Sequence, residues 1–255
     1  MLLVLSPAKT LDFSKIETKL NFSIPGFLND SEKLIGLLRK LKPKDLSNLM
    51  GISAKLADLN FERYLKWEVK HQVENSKPAV FTFNGDVYNG LDVRSISIDN
   101  LEFLNKNGRI LSGLYGVLKP FDLIQEYRLE MGIKLPNPKG KDLYHFWGKK
   151  ISQNINSAIE ESDGEKVLIN LASNEYYQGI EQKSLKYTVI HPIFKDYKEN
   201  GYTLISFFAK KARGMMARFI CQEKISNSDH IKLFKSGGYS FNPKLSDNHQ
   251  WVFTR

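Results

Sequence analysis

The chain has 255 residues, of which 42% are hydrophobic, 25% charged and 12% aromatic. This balance is ordinary for a folded globular protein and excludes a disordered or collagen-like chain. Lys and Arg total 37 against 28 Asp and Glu, and the resulting net charge of +9 favours a polyanionic partner, above all nucleic acid. Many basic proteins bind no nucleic acid, so charge alone leaves the partner open.

A single cysteine and the absence of long apolar runs set the expected location. Cys221 has no second cysteine for a disulfide or a zinc cluster, which is typical of a reducing compartment. The apolar residues 1–5 are too few for a signal peptide, and no run reaches the roughly 18 to 20 residues of a membrane span. We therefore expect a cytoplasmic protein without membrane contact, forming one domain over residues 1–255 and acting as a monomer.

Short apolar runs recur along the chain as predicted strands. They lie at residues 2–5, 79–83, 109–112 and 166–171, and helical patterns separate them. Between the first two strands, residues 28–72 have a helical pattern throughout, which predicts a helical insert. The predicted fold class is mixed α/β (α+β), with a central sheet and surrounding helices.

The C-terminal third predicts a β-hairpin followed by a basic helix. Residues 187–197 and 202–207 are strand-like, and the Asn200-Gly201 pair between them suits a tight turn. Four apolar residues at helical spacing then define the buried face of a helix: Phe208, Ala212, Met215 and Phe219. Closing strands are expected at 239–241 and 251–253.

Four of the predicted strands end in small and polar residues. If several of these strands are parallel neighbours, their carboxyl ends converge on one edge of the sheet, where open α/β folds bind ligands. The candidate cleft residues at these ends are Ser6, Lys9, Thr10, Asp86, Tyr88, Ser112, Tyr115, Asn170, Ser173 and Glu175. The alternative is that Gly, Ser and Asn stand there because strand ends need turn-forming residues.

Arg128 and Glu130 are further candidates for the cleft. They alternate along an apparent strand at residues 127–132, so their side chains share one face. A structural ion pair between them is the alternative.

Lys9 has the widest chemistry among the cleft candidates. An amine held at a strand end can clamp a phosphate or, when desolvation lowers its pKa, attack a carbonyl as a nucleophile. Asp86 or Glu175 would then shuttle protons, which makes these three residues the candidate catalytic set. A solvated surface lysine is the alternative interpretation.

Residues 46–57 have the pattern of a helix-hairpin-helix, in which two short helices flank a tight turn. Backbone N–H groups of the turn and of the second helix then face a DNA phosphate, and a basic residue adds charge. The residues in these positions are Gly51, Ile52, Ser53 and Lys55. Ser53 replaces the usual second glycine, and an ordinary αα-hairpin packed on the core is the alternative.

A second basic cluster lies on the predicted C-terminal helix. Lys210, Lys211 and Arg213 would line a groove and contact a nucleic-acid backbone, each adding a salt-sensitive contact. The alternative is a solvated helix face.

Other chemistries lack support in the sequence. The five histidines have no paired spacing, so no metal site is predicted. Cys221 adjoins Phe219 and Ile220 on the apolar helix, which predicts a buried, inert thiol. The phosphate-binding Walker loop and the dinucleotide glycine fingerprint are both missing, so no cofactor is expected and a nucleotide triphosphatase is disfavoured.

Six stretches, in order along the chain, closely resemble the peroxide stress protein YaaA family. They are Ser6-Pro7-Ala8-Lys9-Thr10, Phe83-Asn84-Gly85-Asp86-Val87-Tyr88, Leu111-Ser112-Gly113-Leu114-Tyr115-Gly116-Val117-Leu118, Tyr127-Arg128-Leu129-Glu130-Met131-Gly132, Asn170-Leu171-Ala172-Ser173 and Ala209-Lys210-Lys211-Ala212-Arg213-Gly214. The resemblance implies a cytosolic bacterial protein of the response to hydrogen peroxide, which limits damage to DNA and protein by holding down unincorporated iron. It also implies a fold unlike the common superfolds, a positively charged cleft, a helix-hairpin-helix and DNA binding. It implies neither a catalytic reaction nor an iron site.

Three functions therefore stay open at the level of sequence. The first is a DNA-binding stress protein that grips duplex or distorted DNA with the hairpin and the basic cleft. The second is a DNA-repair glycosylase or lyase in which Lys9 attacks the aldehyde of an abasic sugar. The third is a protein whose cleft binds a small anionic metabolite or an iron chelate.

Overall fold

The computed structural model describes residues 1–16, 20–199 and 201–255, and its strands and α-helices agree with a mixed α/β fold. In chain order the strands are β1 (Leu2–Leu5), β2 (Thr10–Leu11), β3 (Lys77–Pro78), β4 (Phe83–Asn84), β5 (Gly108–Ser112), β6 (Gly116–Leu118), β7 (Leu123–Ile124), β8 (Val167–Leu171), β9 (Thr188–Lys198), β10 (Gly201–Thr203), β11 (Ser240–Phe241) and β12 (Gln250–Thr254). The α-helices are α1 (Leu28–Leu38), α2 (Pro43–Met50), α3 (Ala54–Lys66), α4 (Ala79–Thr82), α5 (Asp86–Leu91), α6 (Ile98–Asn107), α7 (Leu143–Trp147), α8 (Lys150–Glu161), α9 (Asn174–Tyr177) and α10 (Ser206–Gln222).

The main sheet of the described residues has eight strands, with seven in the order β11-β12-β9-β8-β1-β5-β6 and β10 paired to β9. Strands β5, β1, β8, β9 and β12 run parallel to one another, whereas β6, β10 and β11 are antiparallel to their neighbours. Every residue of β1, β5 and β8 is buried. Their continuous apolar runs are typical of parallel strands that are covered on both faces.

The strand order creates a topological switch point beside β1, where successive connections turn to opposite sides of the sheet. The chain leaves β1 and returns on one side as β5, and it later places β8 against the other side of β1. The carboxyl ends of β1 and β8 therefore border the crevice where open α/β sheets bind ligands.

Most predicted strands are confirmed within one or two residues, but the strand expected at 79–83 is wrong. Residues 79–82 form the short helix α4, between the two-residue strands β3 and β4. All four of its residues are buried, and its first N–H groups donate to the carbonyls of Asp122 and Pro120 at 2.9 Å. A short apolar run buried on every side has no periodicity that would distinguish a helix from a strand.

The helical insert is confirmed as α1, α2 and α3, but it ends at Lys66 and not at residue 72. Two sets of contacts hold this end of α3. In the first, Nε of Arg39 donates to the carbonyl of Tyr64 at 2.8 Å and Nη2 of Arg39 donates to that of Trp67 at 2.6 Å. Trp67 takes an extended conformation, and its indole N–H donates to the hydroxyl of Tyr115 at 3.0 Å. A core contact thus ends the helix, which helical periodicity does not reveal.

The C-terminal region agrees with the prediction in outline, except that Phe208, predicted on the buried face of the helix, is 38% exposed. Strands β9 and β10 form the expected hairpin, but the second strand ends at Thr203 because α10 begins at Ser206. Asn200 of the predicted turn lies outside the described residues. The prediction of a strand at 127–132 is wrong, because the segment forms no ladder with any part of the chain that the structure describes. The Leu129 carbonyl oxygen lies 2.2 Å from where a Cβ atom on Gly113 would stand.

No helix in the described ranges combines the length and the apolar character that crossing a membrane requires.

Candidate functional site

A cavity of about 290 Å³ opens at the carboxyl ends of β1 and β8. Most of its wall comes from three segments: residues 6–10 after β1, residues 84–88 around β4 and α5, and Ser173, Glu175 and Tyr176 after β8. Lys210 and Arg213 of α10 complete it. The cavity therefore lies in the crevice that the strand order creates. Of the predicted residues, Ser6, Lys9, Thr10, Asp86, Tyr88, Ser173, Glu175, Lys210 and Arg213 line it.

Hydrogen bonds connect the three segments of the cavity wall. The Oγ of Ser6 accepts a hydrogen bond from the N–H of Ser173 at 2.8 Å, which joins the ends of β1 and β8. The hydroxyl of Tyr88 donates to the carbonyl of Ser6 at 3.1 Å, and Thr10 pairs with Asn84 in the β2–β4 ladder. Ser6, Thr10 and Tyr88 thus build the cavity as much as they line it.

Two glycines bring α10 against α5. A Cβ atom on Gly214 would lie 1.8 Å from the carbonyl oxygen of Val87, and one on Gly90 would lie 2.1 Å from that of Lys211. Because no side chain fits at either position, the two helix backbones touch. This contact places Arg213 beside the start of α5, where Asp86 stands.

The cations of the cavity differ in burial. Lys9 is 66% exposed, and its Nζ lies 3.5 Å from Oε1 of Glu130. Lys210 is exposed, whereas Arg213 is half-buried and has no hydrogen-bond or ion-pair partner in the described part of the chain. Burial lowers the pKa of the Arg213 guanidinium from its usual value, but arginine stays charged at neutral pH. Arg213 is therefore a charge available for a ligand.

Two carboxylates share this wall. Asp86 is half-buried and likewise has no partner within the described ranges. Glu175 is exposed, and its Oε1 accepts a hydrogen bond from the N–H of Gly132 at 3.1 Å. The cavity therefore presents both signs of charge.

Arg128 and Glu130 lie behind the cavity and do not line it. Nη2 of Arg128 lies 2.8 Å from Oε1 of Glu130, and this carboxylate is 9% exposed. The same oxygen faces Lys9, while Oε2 of Glu130 is buried without a hydrogen-bond partner. The Arg128–Glu130 ion pair therefore lies behind Lys9, and its carboxylate contacts the Lys9 amine.

Three predicted cleft residues lie in the core instead of the cavity wall. Ser112 and Tyr127 share a hydrogen bond of 2.7 Å between their hydroxyls, and the buried hydroxyl of Tyr115 receives the Trp67 indole. The Asn170 side chain lies 3.0 Å from the imidazole of His191 and accepts a hydrogen bond from a backbone N–H. Lys211 also lies outside the wall, on an exposed part of α10. A position at a strand end places a residue near the sheet edge, but its side-chain direction depends on the partners it finds.

The predicted hairpin takes the form of two helices and a tight turn. Gly51 ends α2 with a left-handed φ of 61°, and the Oγ of Ser53 accepts a hydrogen bond from the N–H of Leu56 to cap α3. Ile52 is half-buried, whereas Lys55 is exposed in the first turn of α3. The turn therefore leaves Lys55 and the first backbone N–H groups of α3 facing solvent.

The hairpin is joined to the rear of the cavity. The hydroxyl of Tyr64, on α3, donates to the carbonyl of Arg128 and lies 3.9 Å from the sulfur of Met50, on α2. Arg128 in turn holds Glu130, which faces Lys9. A chain of direct contacts thus leads from the hairpin to the cavity wall.

Cys221 agrees with its prediction as a buried thiol. Its side chain is buried under α6 and donates to the carbonyl of Asn100 at 2.8 Å. Burial raises the pKa of this thiol to about 12, so the nucleophilic thiolate does not form at neutral pH. Over the described ranges, no group of three or more His, Cys, Asp or Glu side chains is placed to hold a metal ion.

The fold and the cavity together define an open, mixed α/β protein with a cavity lined by charged residues at the switch point of its sheet. The chain belongs to the family described as peroxide stress protein YaaA, whose model matches residues 1–245. The predicted family membership is confirmed by this match.

Curated relatives resemble the chain over its whole length. A UPF0246 protein of Colwellia psychrerythraea is 51% identical over 255 residues, covering 100% of this chain and 99% of the relative. UPF0246 proteins of Hahella chejuensis and Aliivibrio fischeri are each 49% identical over 255 residues, with 99% and 98% of the relative covered. Their names state no reaction, so the site itself has to carry the functional argument.

Proposed function

We propose that this peroxide stress protein binds DNA, with the cavity and the helical hairpin as its two points of contact. The observation that carries the proposal is Arg213, a half-buried guanidinium in the cavity wall that has no partner among the residues the structure describes. Partial burial of an unpaired charge costs folding free energy. A charge kept at this cost is best explained by an anionic ligand.

Charge outside the cavity favours a polyanion over a small anion. The chain carries a net charge of +9, and exposed Lys55 and Lys211 lie beyond the cavity wall. A small metabolite would use only the cavity, whereas a DNA backbone extends to further cations. The free N–H groups at the start of α3 add donors that suit a phosphate.

The link to iron in this proposal is indirect. The protein would limit damage by unincorporated iron without binding the metal itself, since its described residues offer no set of metal ligands. Titration with ferrous iron under anaerobic conditions tests this point. Stoichiometric binding would contradict it.

Fluorescence anisotropy across a salt series tests the DNA proposal, with duplex, bubble and abasic DNA as ligands. We expect affinity to fall steeply as salt rises, and to weaken in Arg213→Ala and Lys55→Ala. Lys106→Ala is the control. Lys106 is an exposed lysine just before the amino end of β5, at the opposite end of the parallel strands from the cavity, and its Nζ lies 2.6 Å from Oδ1 of Asp163. Absent binding at low salt, or equal loss in the control, would refute the proposal.

A DNA lyase is a second candidate, favoured by one observation: Lys9, Asp86 and Glu175 all line the same cavity. In this reaction the Lys9 amine adds to the C1′ aldehyde of an abasic sugar and loses water to form an imine. Borohydride would reduce the imine to a stable protein–DNA adduct, absent in Lys9→Ala. Lys9 is largely exposed to water and is not enclosed as the nucleophile of such a step would be, so DNA binding stays the first choice.

A further inference from the structure

We propose that the cavity accepts a single nucleotide turned out of the DNA, and that its base is guanine or an oxidised guanine with the same hydrogen-bonding edge. The inference rests on the proposed DNA binding and adds to it the chemical identity of the group inside the cavity. Asp86 would read the base, and Arg213 would hold its phosphate.

The first step of the argument is the presence of carboxylates. Asp86 and Glu175 line the cavity together with three cations. A groove that holds only DNA phosphates gains nothing from carboxylates, because they repel the backbone. Their position in the wall indicates a ligand that is anionic at one end and carries hydrogen-bond donors at the other.

The second step is size. The cavity has a volume of about 290 Å³, near the lower end of the roughly 300–1,000 Å³ of small-molecule sites. A double helix cannot enter such a space, whereas one nucleotide has the right dimensions. Enzymes and binding proteins that reach a single base do so by turning it out of the stack.

The third step is the choice of base. Of the two carboxylates in the wall, Asp86 has no partner in the described part of the chain, whereas Glu175 accepts a hydrogen bond from the N–H of Gly132. An ionised carboxylate offers only acceptors, and its two oxygens suit two adjacent donors. Guanine presents such a pair, its ring N1–H and its 2-amino group, whereas the same edge of adenine, cytosine or thymine has no two adjacent donors. Guanine oxidised at C8 keeps the same pair.

The fourth step is the placing of the two charged groups and of the aromatic rings. Asp86 precedes Val87 and Arg213 precedes Gly214, and the backbones of Val87 and Gly214 touch. The carboxylate and the guanidinium therefore border the cavity from adjoining helices. Tyr88 and Tyr176 complete the wall as rings for stacking, and burial raises the pKa of both well above the usual range, so they stay neutral.

Calorimetric titration of the wild-type protein with GMP, IMP, AMP and inorganic phosphate is the first test. IMP lacks only the 2-amino group, so we expect it to bind about 10-fold more weakly than GMP. Asp86→Asn should remove the preference for GMP over IMP, because an amide offers one acceptor and one donor. Arg213→Ala should weaken both nucleotides equally. The matched control is Asp99→Asn. Asp99 lies in the first turn of α6, as Asp86 lies in that of α5, but Asp99 is exposed and does not line the cavity.

A second arm compares bubble DNA containing one unpaired guanine with the same bubble containing inosine. Preference for guanine that is lost in Asp86→Asn supports the proposal. DNA binding without any response to GMP, or equal binding of GMP and IMP, overturns it while leaving the proposed DNA binding intact. If GMP binds but DNA does not, the proposal that the nucleotide is turned out of DNA is overturned, and the cavity is assigned to a free nucleotide.

Discussion

The cavity and the helical hairpin both present cations, yet they are built in opposite ways. The hairpin is local: residues 51–55 are consecutive, and a left-handed glycine with a serine cap defines their shape. The cavity is assembled from four separate stretches of the chain, and its central cation depends on contact between two helices. A local site tolerates distant substitutions, whereas an assembled site is sensitive to any change that moves one of its parts.

The two regions also differ in how they expose charge. Lys55 is exposed and surrounded by water, so salt screens its attraction to a phosphate. Arg213 is half-buried, where electrostatic interactions are stronger. We therefore expect the cavity to contribute more binding free energy per cation than the hairpin.

Gly214→Ala should have the largest effect, and it should act on the cavity and not on the hairpin. Its Cβ would lie 1.8 Å from the carbonyl oxygen of Val87, so α10 must move, and we expect a loss of about 1–3 kcal/mol or more in the free energy of unfolding. DNA binding through the cavity should fall with it. Urea unfolding measures the first effect. Gly36→Ala in α1 is the control, since outside the adjoining turns of α1 no described atom lies within 4 Å of its added Cβ, and an alanine there should stabilise by up to about 1 kcal/mol.

Arg213→Ala should lower DNA affinity by about 10-fold, the value of one charge-assisted contact. Arg213→Lys should recover part of this loss, because it restores charge but not the planar fork of donors. Anisotropy at constant salt measures both variants. A loss no larger than that of Lys106→Ala would remove the distinction between the cavity and the general basic surface.

Lys55→Ala should have a smaller effect, about 3-fold at low salt, and should reduce the slope of log affinity against log salt by about 1. A salt series separates this outcome from that of Arg213→Ala. An unchanged slope would mean that the hairpin does not contact the DNA backbone.

A fall in pH should have the smallest of these effects, a loss of stability near the helical insert that carries the hairpin. Burial lowers the pKa of His71 below its usual 6.5, and the imidazole lies 3.1 Å from the Tyr115 hydroxyl that ties the insert to the sheet. The folded state thus binds fewer protons than the unfolded state, so stability is complete above about pH 6.5 and declines as pH falls below it. Urea midpoints between pH 7 and pH 5.5 measure the decline. His71→Gln should flatten it in part, because burial also lowers the pKa of His191 and lowers that of the Met1 amino group to about 6.

Much of the fold followed from periodicity. The strands at 2–5, 109–112 and 166–171 are buried parallel strands, and the basic helix runs over Ser206–Gln222. The exceptions have local physical causes. Residues 79–82 form a helix because a buried apolar run has no period of its own, and the insert ends at Lys66 because Trp67 finds a core partner.

The sequence by itself determined the features encoded by neighbours along the chain: the buried strands, the hairpin turn at Gly51, the buried thiol of Cys221 and the set of polar residues that follow the strands. Only the tertiary structure decided which side chains of that set share a cavity. It placed Lys9, Asp86, Glu175 and Arg213 in the wall and turned Ser112, Tyr115 and Asn170 into the core. The reason is that side-chain direction at a strand end depends on distant partners, and the approach of α10 depends on the missing Cβ atoms of Gly90 and Gly214.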